Sequence, residues 1–443
     1  MSSMMVPGQP ASAIAITELP LLSDPPVDLI VVGGGASGFF GAITAAEEGL
    51  AFVHVLEATS EPLTKVKISG GGRCNVTHAC WEPGDLVTNY PRGGRPLLGL
   101  FSRFATGDAV AWFADRGLEL VAEPDGRMFP VANCSSAVVA CLKQAAVVAG
   151  VSLRSQKVVQ SLERRGAAGF LVQCRDGSSF QAQRVLLATG GHPSGRRLAA
   201  AMGHQLVPSV PSLFSLALEA PALIACSGLA LDGVHLSLKA GGQNFQQTGR
   251  VLITHWGLSG PAILRLTAFA ARALQGDHYR GKLFVNWLGM SSHNLVKQSL
   301  RDLRHHQGRR TLGSARPVSN LPRRLWLSLL VQVGATADLR WADCPARLER
   351  LLFEALVASC YSIGGKGPFG EEFVTAGGVQ LGEVNLATME SRVCPGLYFA
   401  GELLDVDGLT GGFNFQHCWT SGWLAGQAIA KGLQLATGSD QTR

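Results

Sequence analysis

Two glycine clusters near the start of the chain have the residue types and spacing to hold a phosphorylated cofactor. The first, GGGASG, places Gly33, Gly35 and Gly38 in a GxGxxG pattern, with Ala36 and Ser37 opening an alanine-rich segment. In that pattern the first glycine permits a tight turn, the second lets a pyrophosphate reach the backbone, and the third lets helix and strand pack closely. The N–H groups of the helix start then face the phosphates. Glu57 follows nineteen residues after Gly38, close to the separation of about 20 expected of an acid that binds a ribose 2′-OH. An acid there favours FAD or NAD over NADP, and the glycines do not choose between the two. The second cluster, ISGGGRCNVTH from Ile68 to His78, adds Gly71, Gly72, Arg73, Cys74 and Asn75. Its consecutive glycines let backbone lie against a flat ligand, and Arg73 can meet a phosphate or a neighbouring carboxylate.

No acid or base for catalysis stands out. His192, His255 and His417 are candidates by position, but a single histidine is more often a packed or surface residue. The ten cysteines contain no CxxC pair, so neither a zinc ribbon nor a dithiol redox centre is encoded, and Cys74 is read first as a packing residue. That usage suits a reducing cytoplasm.

Positioning these residues requires a βαβ frame. VDLIVV (27–32) is a β-branched run of the kind buried on both faces of a parallel sheet; 36–49 is helix-forming and ends at Gly49; 51–57 returns as strand. Helices are expected over 108–117 and 135–150, and a β-meander over 151–190. The texture changes between about 208 and 365, with strands near 214–219 and 282–287 and helices near 295–304, 322–333 and 346–357. A strand at 396–401 then runs into glycine, and a long helix spans 413–431. The expected organisation is a flexible leader (1–24), a cofactor domain in two segments (25–207 and 366–431), an inserted domain (208–365) and a flexible tail (432–443).

With 443 residues, 47% apolar, 16% charged and a mean hydropathy of +0.19, the chain has the composition of a compact enzyme. No apolar run reaches the roughly 18–20 residues of a membrane-spanning helix. The formal charge of +6 is modest and the arginines look dispersed, which argues against nucleic acid as a partner.

Three later features favour FAD. RVLLATGG (184–191) ends an apolar strand at Thr189 and Gly190; Gly401 and Glu402 follow the LYFA strand; Gly411, Gly412, Phe413 and Asn414 open the last helix, whose positive end suits a reduced flavin. Together with ITHWGLSGPAIL (253–264), VTAGGV (374–379) and GLYFAGELLDVDGLTGGFNFQ (396–416), the second glycine cluster makes the chain resemble the YhiN/BaiN-like family of FAD-dependent oxidoreductases over about 28–431. The resemblance implies an α/β fold: a glutathione-reductase-like FAD-binding Rossmann domain with an inserted β-barrel-like plus helical domain. It also implies FAD contacts at Gly33, Gly35, Ser37 and Gly38 for the phosphates, Glu57 for the ribose, Lys65, Gly71 to Asn75 along the cofactor, Val158 at the adenine, Thr189 and Gly190 beside the adenine–pyrophosphate portion, and Gly401, Glu402, Gly412, Phe413 and Asn414 around ribitol and flavin.

This chain departs from the family pattern in three places. The loop after Gly191 is short and basic; phenylalanine stands at 413 where tyrosine is more usual; His417 and Cys418 stand where an aromatic and a small residue are common. Only one complete GxGxxG follows a strand, so NAD(P)H, if it is the reductant, must dock transiently at the flavin. The expected activity passes a hydride or electron pair through tightly bound FAD to or from a small organic substrate. The rival readings are an oxygen-dependent amine oxidase of aminoacetone-oxidase type and a FAD-dependent RNA-modifying protein. Oligomeric state is not encoded legibly.

Overall fold

A computed structural model describes residues 27–289, 293–367 and 374–440. The leader expected at 1–24 lies outside the described residues.

The β-branched run Val27–Val32 forms the central strand of a nine-stranded sheet, paired in parallel with Val53–Leu56 on one side and Ser179–Leu187 on the other. Ser152–Arg154 extends one edge. On the other side, Leu397–Phe399 from the C-terminal segment pairs in parallel with Ser179–Leu187, with the short strands Glu390–Ser391 and Val384–Asn385 beyond it. The sheet therefore needs both ends of the chain. The expected meander is present as Val159–Arg164, Phe170–Cys174 and Ser179–Leu187.

Two helices cover the sheet in close contact. Ala36–Glu47 packs on Phe413–Asp440, where a Cβ on Gly422 would lie 2.6 Å from the Ser37 carbonyl oxygen and one on Gly426 2.6 Å from that of Gly41. Only glycine permits this approach. The last helix continues to Asp440, past the end expected at Lys431, because Leu433 is buried in the core and the Gln434 amide donates to the Glu48 carbonyl (2.7 Å). The helix expected at 108–117 is Thr106–Ala114: Asp108 is not its start but reaches back to accept the Ala105 N–H (2.7 Å).

The inserted part is a closed six-stranded antiparallel barrel, Leu216–Leu218, Gly257–Ser259, Gln243–Thr254, Ala230–Ala240, Gly281–Asn286 and Ser359–Lys366 in spatial order. It has its own apolar core, which includes Trp287, Trp326 and Trp341. Helices His293–His306, Arg323–Gln332 and Ala346–Val357 complete this lobe. An antiparallel ribbon, Leu206–Ser212 with Val374–Val379, joins it to the main domain.

Between the two domains lies a buried ionic junction. The Arg92 guanidinium bonds Asp407, the Ser212 hydroxyl (3.0 Å) and the Ala268 carbonyl (2.6 Å), tying the first segment, the C-terminal segment, the ribbon and the barrel helix Pro261–Gly276 together. Arg272 of that same helix pairs with Asp405 (2.9 Å).

The net positive charge is concentrated in one segment. Residues 293–357 carry eleven lysines and arginines against five acids, a surplus of six that equals the formal charge of the chain, while the remainder carries 27 of each.

Candidate functional site

At the nucleotide end, Gly33 adopts φ +111° and a Cβ there would lie 2.6 Å from the Ala188 carbonyl oxygen; one on Gly38 would lie 2.0 Å from that of Gly33. These two glycines serve close packing. Gly35 differs, because a Cβ on it would meet nothing within 4 Å. It is the N-cap of the helix at Ala36 and supplies no side-chain cap, so the first-turn N–H groups face an open cradle suited to an anion. Ser37 is buried with its hydroxyl against Gly401, where a Cβ would come within 2.5 Å of it. Its backbone, not its hydroxyl, is what it offers to a phosphate.

Glu57 is held rigidly. Its carboxylate accepts the Gly34 N–H (2.8 Å), the Thr59 N–H (2.8 Å) and the Thr59 hydroxyl (2.7 Å). The Lys157 N–H donates to the Glu57 carbonyl (2.8 Å), which brings Val158 beside that acid. Thr189 has a buried hydroxyl with no hydrogen-bond partner among the described residues, and Gly190 is left-handed at φ +60°. Lys65 and Glu402 form an ion pair (2.7 Å) between the two segments, next to Gly190 and Gly191.

The second glycine cluster interrupts the helix Thr64–Gly72. Ser69 is extended at ψ 153°, and Gly70, Gly71, Gly72 and Cys74 all have φ between +58° and +86°. Gly70 is packed, with a Cβ position 3.1 Å from the Asn75 nitrogen, whereas Gly71 and Gly72 are exposed and would meet nothing within 4 Å. The pair forms a bare backbone ledge. The Arg73 guanidinium turns away from it, pairing with Glu123 (2.6 Å), bonding Asn133 and lying 3.9 Å over the Phe129 ring. Of its two expected partners, the carboxylate is the one it meets. Cys74 is buried, and burial pushes its thiol up to about 11, which makes it a packing group rather than a nucleophile. The buried Asn75 Oδ1 has no partner among the described residues and remains available to a ligand.

The strand after the ledge packs on the start of the last helix. A Cβ on Gly412 would lie 2.4 Å from the Thr77 carbonyl oxygen; the Thr77 hydroxyl donates to Gln416 (2.6 Å) and the Trp419 indole N–H donates to the Val76 carbonyl (2.9 Å). Phe413 stacks on His78, with centroids 4.5 Å apart, and its carbonyl accepts the Tyr90 hydroxyl (2.6 Å). His78 Nδ1 lies 2.9 Å from the Gly411 carbonyl. Because that oxygen only accepts, Nδ1 carries the proton. Burial holds the His78 pKa below its ordinary value, and Arg265 of the barrel helix acts in the same direction. Asn414 clasps Gly408 through both amide atoms (2.8 and 2.9 Å), so its side chain shapes the loop.

Of the candidate histidines, His192 caps the helix Pro193–Ala201 through Ser194 and His255 packs edge-on to Trp256. Only His417 is buried beside this site. Neither of its ring nitrogens has a hydrogen-bond partner among the described residues, and burial pushes its pKa down to about 4, with the Gly401 backbone acting in the other direction. His78, Tyr90, Gln416 and Arg265 were not singled out from the sequence. His78 was at hand at the end of the quoted cluster, whereas the other three are brought in by long-range packing.

An anion cradle at a βαβ turn, a pinned acid just after the second strand and a bare backbone ledge fit an elongated dinucleotide with a flat redox ring. The fold and site define an FAD-type oxidoreductase. The chain belongs to the HI0933-like family, whose Rossmann-domain description matches residues 27–428. It is 32% identical to the 3-dehydro-bile acid delta(4,6)-reductase of Clostridium scindens over 90% of this chain and 98% of that protein. It is 28% identical to the ribosomal RNA dihydrouridine synthase of Escherichia coli over 91% of this chain and 98% of that one. The solved structure of 3-ketosteroid delta1-dehydrogenase from Sterolibacterium denitrificans aligns with 91% of this chain and 99% of its own at 15% identity and a TM-score of 0.49. Among the described residues, no helix is long and apolar enough to cross a membrane.

Proposed function

We propose that this protein reduces a carbon–carbon double bond conjugated to a carbonyl, using FAD held along the line from Glu57 through Gly33, Gly35, Ala36, Ser37 and Gly38, past Lys65, Val158, Thr189, Gly190, Gly401 and Glu402, to Gly71–Asn75, Gly412, Phe413 and Asn414. The observation that carries the reading is the shared chemistry of two relatives with unlike substrates. A delta(4,6)-reductase of a 3-dehydro compound and a dihydrouridine synthase both add two hydrogens across an unsaturated bond next to a carbonyl. When bound, FAD supplies the hydride.

The chain's own residues supply position and charge. The N-terminal end of the helix Phe413–Asp440 carries the positive end of its dipole, which would favour negative charge on a bound flavin. His78 acts as a positioning residue: its Nδ1–H holds Gly411 while its ring supports Phe413. Arg265, half-buried on the barrel helix and close enough to influence His78, has no ion-pair partner among the described residues. On this reading its charge would stabilise the negative charge that develops on the substrate's carbonyl oxygen.

The test is anaerobic mixing of the purified holoprotein with NADH or NADPH, followed by a conjugated enone. The expected result is loss of the oxidised-flavin absorption band with a nicotinamide and its return with the enone, with Arg265→Ala slowing the second step by about 10²-fold or more. Bleaching that no conjugated acceptor reverses would sink the reading. A second substrate class, a uridine base within RNA, is favoured by one observation: the positive charge concentrated in 293–357.

A further inference from the structure

We propose that the helical lobe formed by residues 293–357 is a docking surface for structured RNA. This rests on the nucleobase reading above for the identity of the partner, but on the lobe's own geometry for the surface.

On the helix His293–His306, residues His293, Lys297, Arg301 and His305 recur every four residues and are all exposed. They therefore share one face, with successive side chains about 6 Å apart along the axis, a spacing of the order of that between neighbouring phosphates on one strand. The adjoining face, Val296, Leu300 and Leu303, is buried in the lobe's core. The helix Ala346–Val357 lies alongside: Phe353 is flanked by His293 and by the Lys297 ammonium, and Glu349 pairs with Arg304 (3.2 Å). The exposed Arg347 and Arg350 belong to the same helix, Arg350 within 3.8 Å of Glu354. At the far end of the stripe, the Trp341 N–H donates to the Arg310 carbonyl (3.0 Å), setting exposed Arg309 and Arg310 next to exposed Arg340.

Structural duties account for only part of this charge. Arg304, His305 and His306 lie in the last turn, where cations complement the helix dipole, and Arg304 is also paired. Arg301, Arg309, Arg340 and Arg347 have no ion-pair partner among the described residues. Ten of the eleven basic residues in 293–357 are arginine, whose planar fork matches phosphate oxygens in two-point contacts. A membrane surface fits less well, since the apolar face of His293–His306 is already spent on the core and Leu295 is the single large apolar side chain that this helix exposes.

The experiment measures binding and not turnover, so its failure is separable from failure of the reductase reading. The FAD-loaded full-length protein is titrated into a fluorescein-labelled RNA hairpin between low and physiological salt, and separately into vesicles of phosphatidylcholine with phosphatidylserine. The expected result is salt-dependent binding of the RNA, with a log–log slope of about −3 to −5 for four to six phosphate contacts on a partly single-stranded hairpin. The variant Arg301→Glu, Arg309→Glu, Arg347→Glu should weaken binding at least tenfold and flatten the slope, while its flavin spectrum and enone reduction stay unchanged and report an intact fold. No RNA binding at low salt, binding indifferent to the three reversals, or equal affinity for the anionic vesicles would each overturn the proposal.

Discussion

Replacing Arg92 by alanine should be among the most destabilising single changes in this protein, and the structure says by how much. The Arg92 side chain is 11% exposed and its partner Asp407 is wholly buried. Removing the guanidinium takes away the counter-charge of Asp407 and the donors to Ser212 and Ala268, leaving the carboxylate with the Ser212 hydroxyl (2.9 Å) as its remaining side-chain donor. A buried charge stripped of its partner costs about 3–5 kcal/mol, a fall of two to three and a half orders of magnitude in the folded-to-unfolded ratio. Replacing both partners with apolar residues of similar size removes the uncompensated charge. The double variant Arg92→Met, Asp407→Leu should therefore recover most of the loss, and equilibrium urea unfolding followed by tryptophan fluorescence measures both. Because Asp407 leads into Gly408, which Asn414 clasps, the single variant should also release FAD more readily than the double. If the double variant is as unstable as the single one, or the single loses less than about 1 kcal/mol, the buried-charge account of this junction is wrong.

Gly412→Ala should lower FAD occupancy and destabilise the holoprotein by about 2–4 kcal/mol, since it combines overpacking against Thr77 with a positive φ of +96°; the flavin-to-protein absorbance ratio reads the occupancy. His417 should make folding acid-sensitive. With its pKa pushed down to about 4 from an ordinary 6.5, its contribution is present above pH 6.5 and is lost as pH falls towards 4, reaching about 2–3 kcal/mol by pH 4.5. His417→Phe should flatten that part of the stability curve, and parallel urea titrations at pH 7 and 4.5 that fall equally in both proteins would refute it. Among the cysteines, Cys134, whose thiol is held below its ordinary value by hydrogen bonds from Ser136 and Ala137, and the exposed Cys360 should react with iodoacetamide before Cys74 does. Mass spectrometry of timed samples decides the order.

Much of the cofactor frame was legible in the chain itself, because its signals are local. A β-branched run, a GxGxxG turn and an acid nineteen residues later all act within one βαβ unit. Side-chain assignments fared differently where a partner lies far along the chain. Arg73 could meet a phosphate or a carboxylate, and only the fold brings Glu123 to it; the Asn414 side chain is engaged by Gly408; and nothing near Arg265 in sequence announces His78. The start of Thr106–Ala114 was missed because Asp108 caps from inside the helix. The clustering of basic residues was countable in the sequence, but its meaning was not. Periodicity puts Lys297 and Arg301 on one helix face, whereas only packing brings Ala346–Val357 alongside it and, through the backbone bond from Trp341 to Arg310, sets Arg309 and Arg310 beside Arg340. Local backbone chemistry thus set the cradle. Long-range contacts decided which side chains remain free to meet a ligand, because a charged or polar group is available only if the fold brings it no partner.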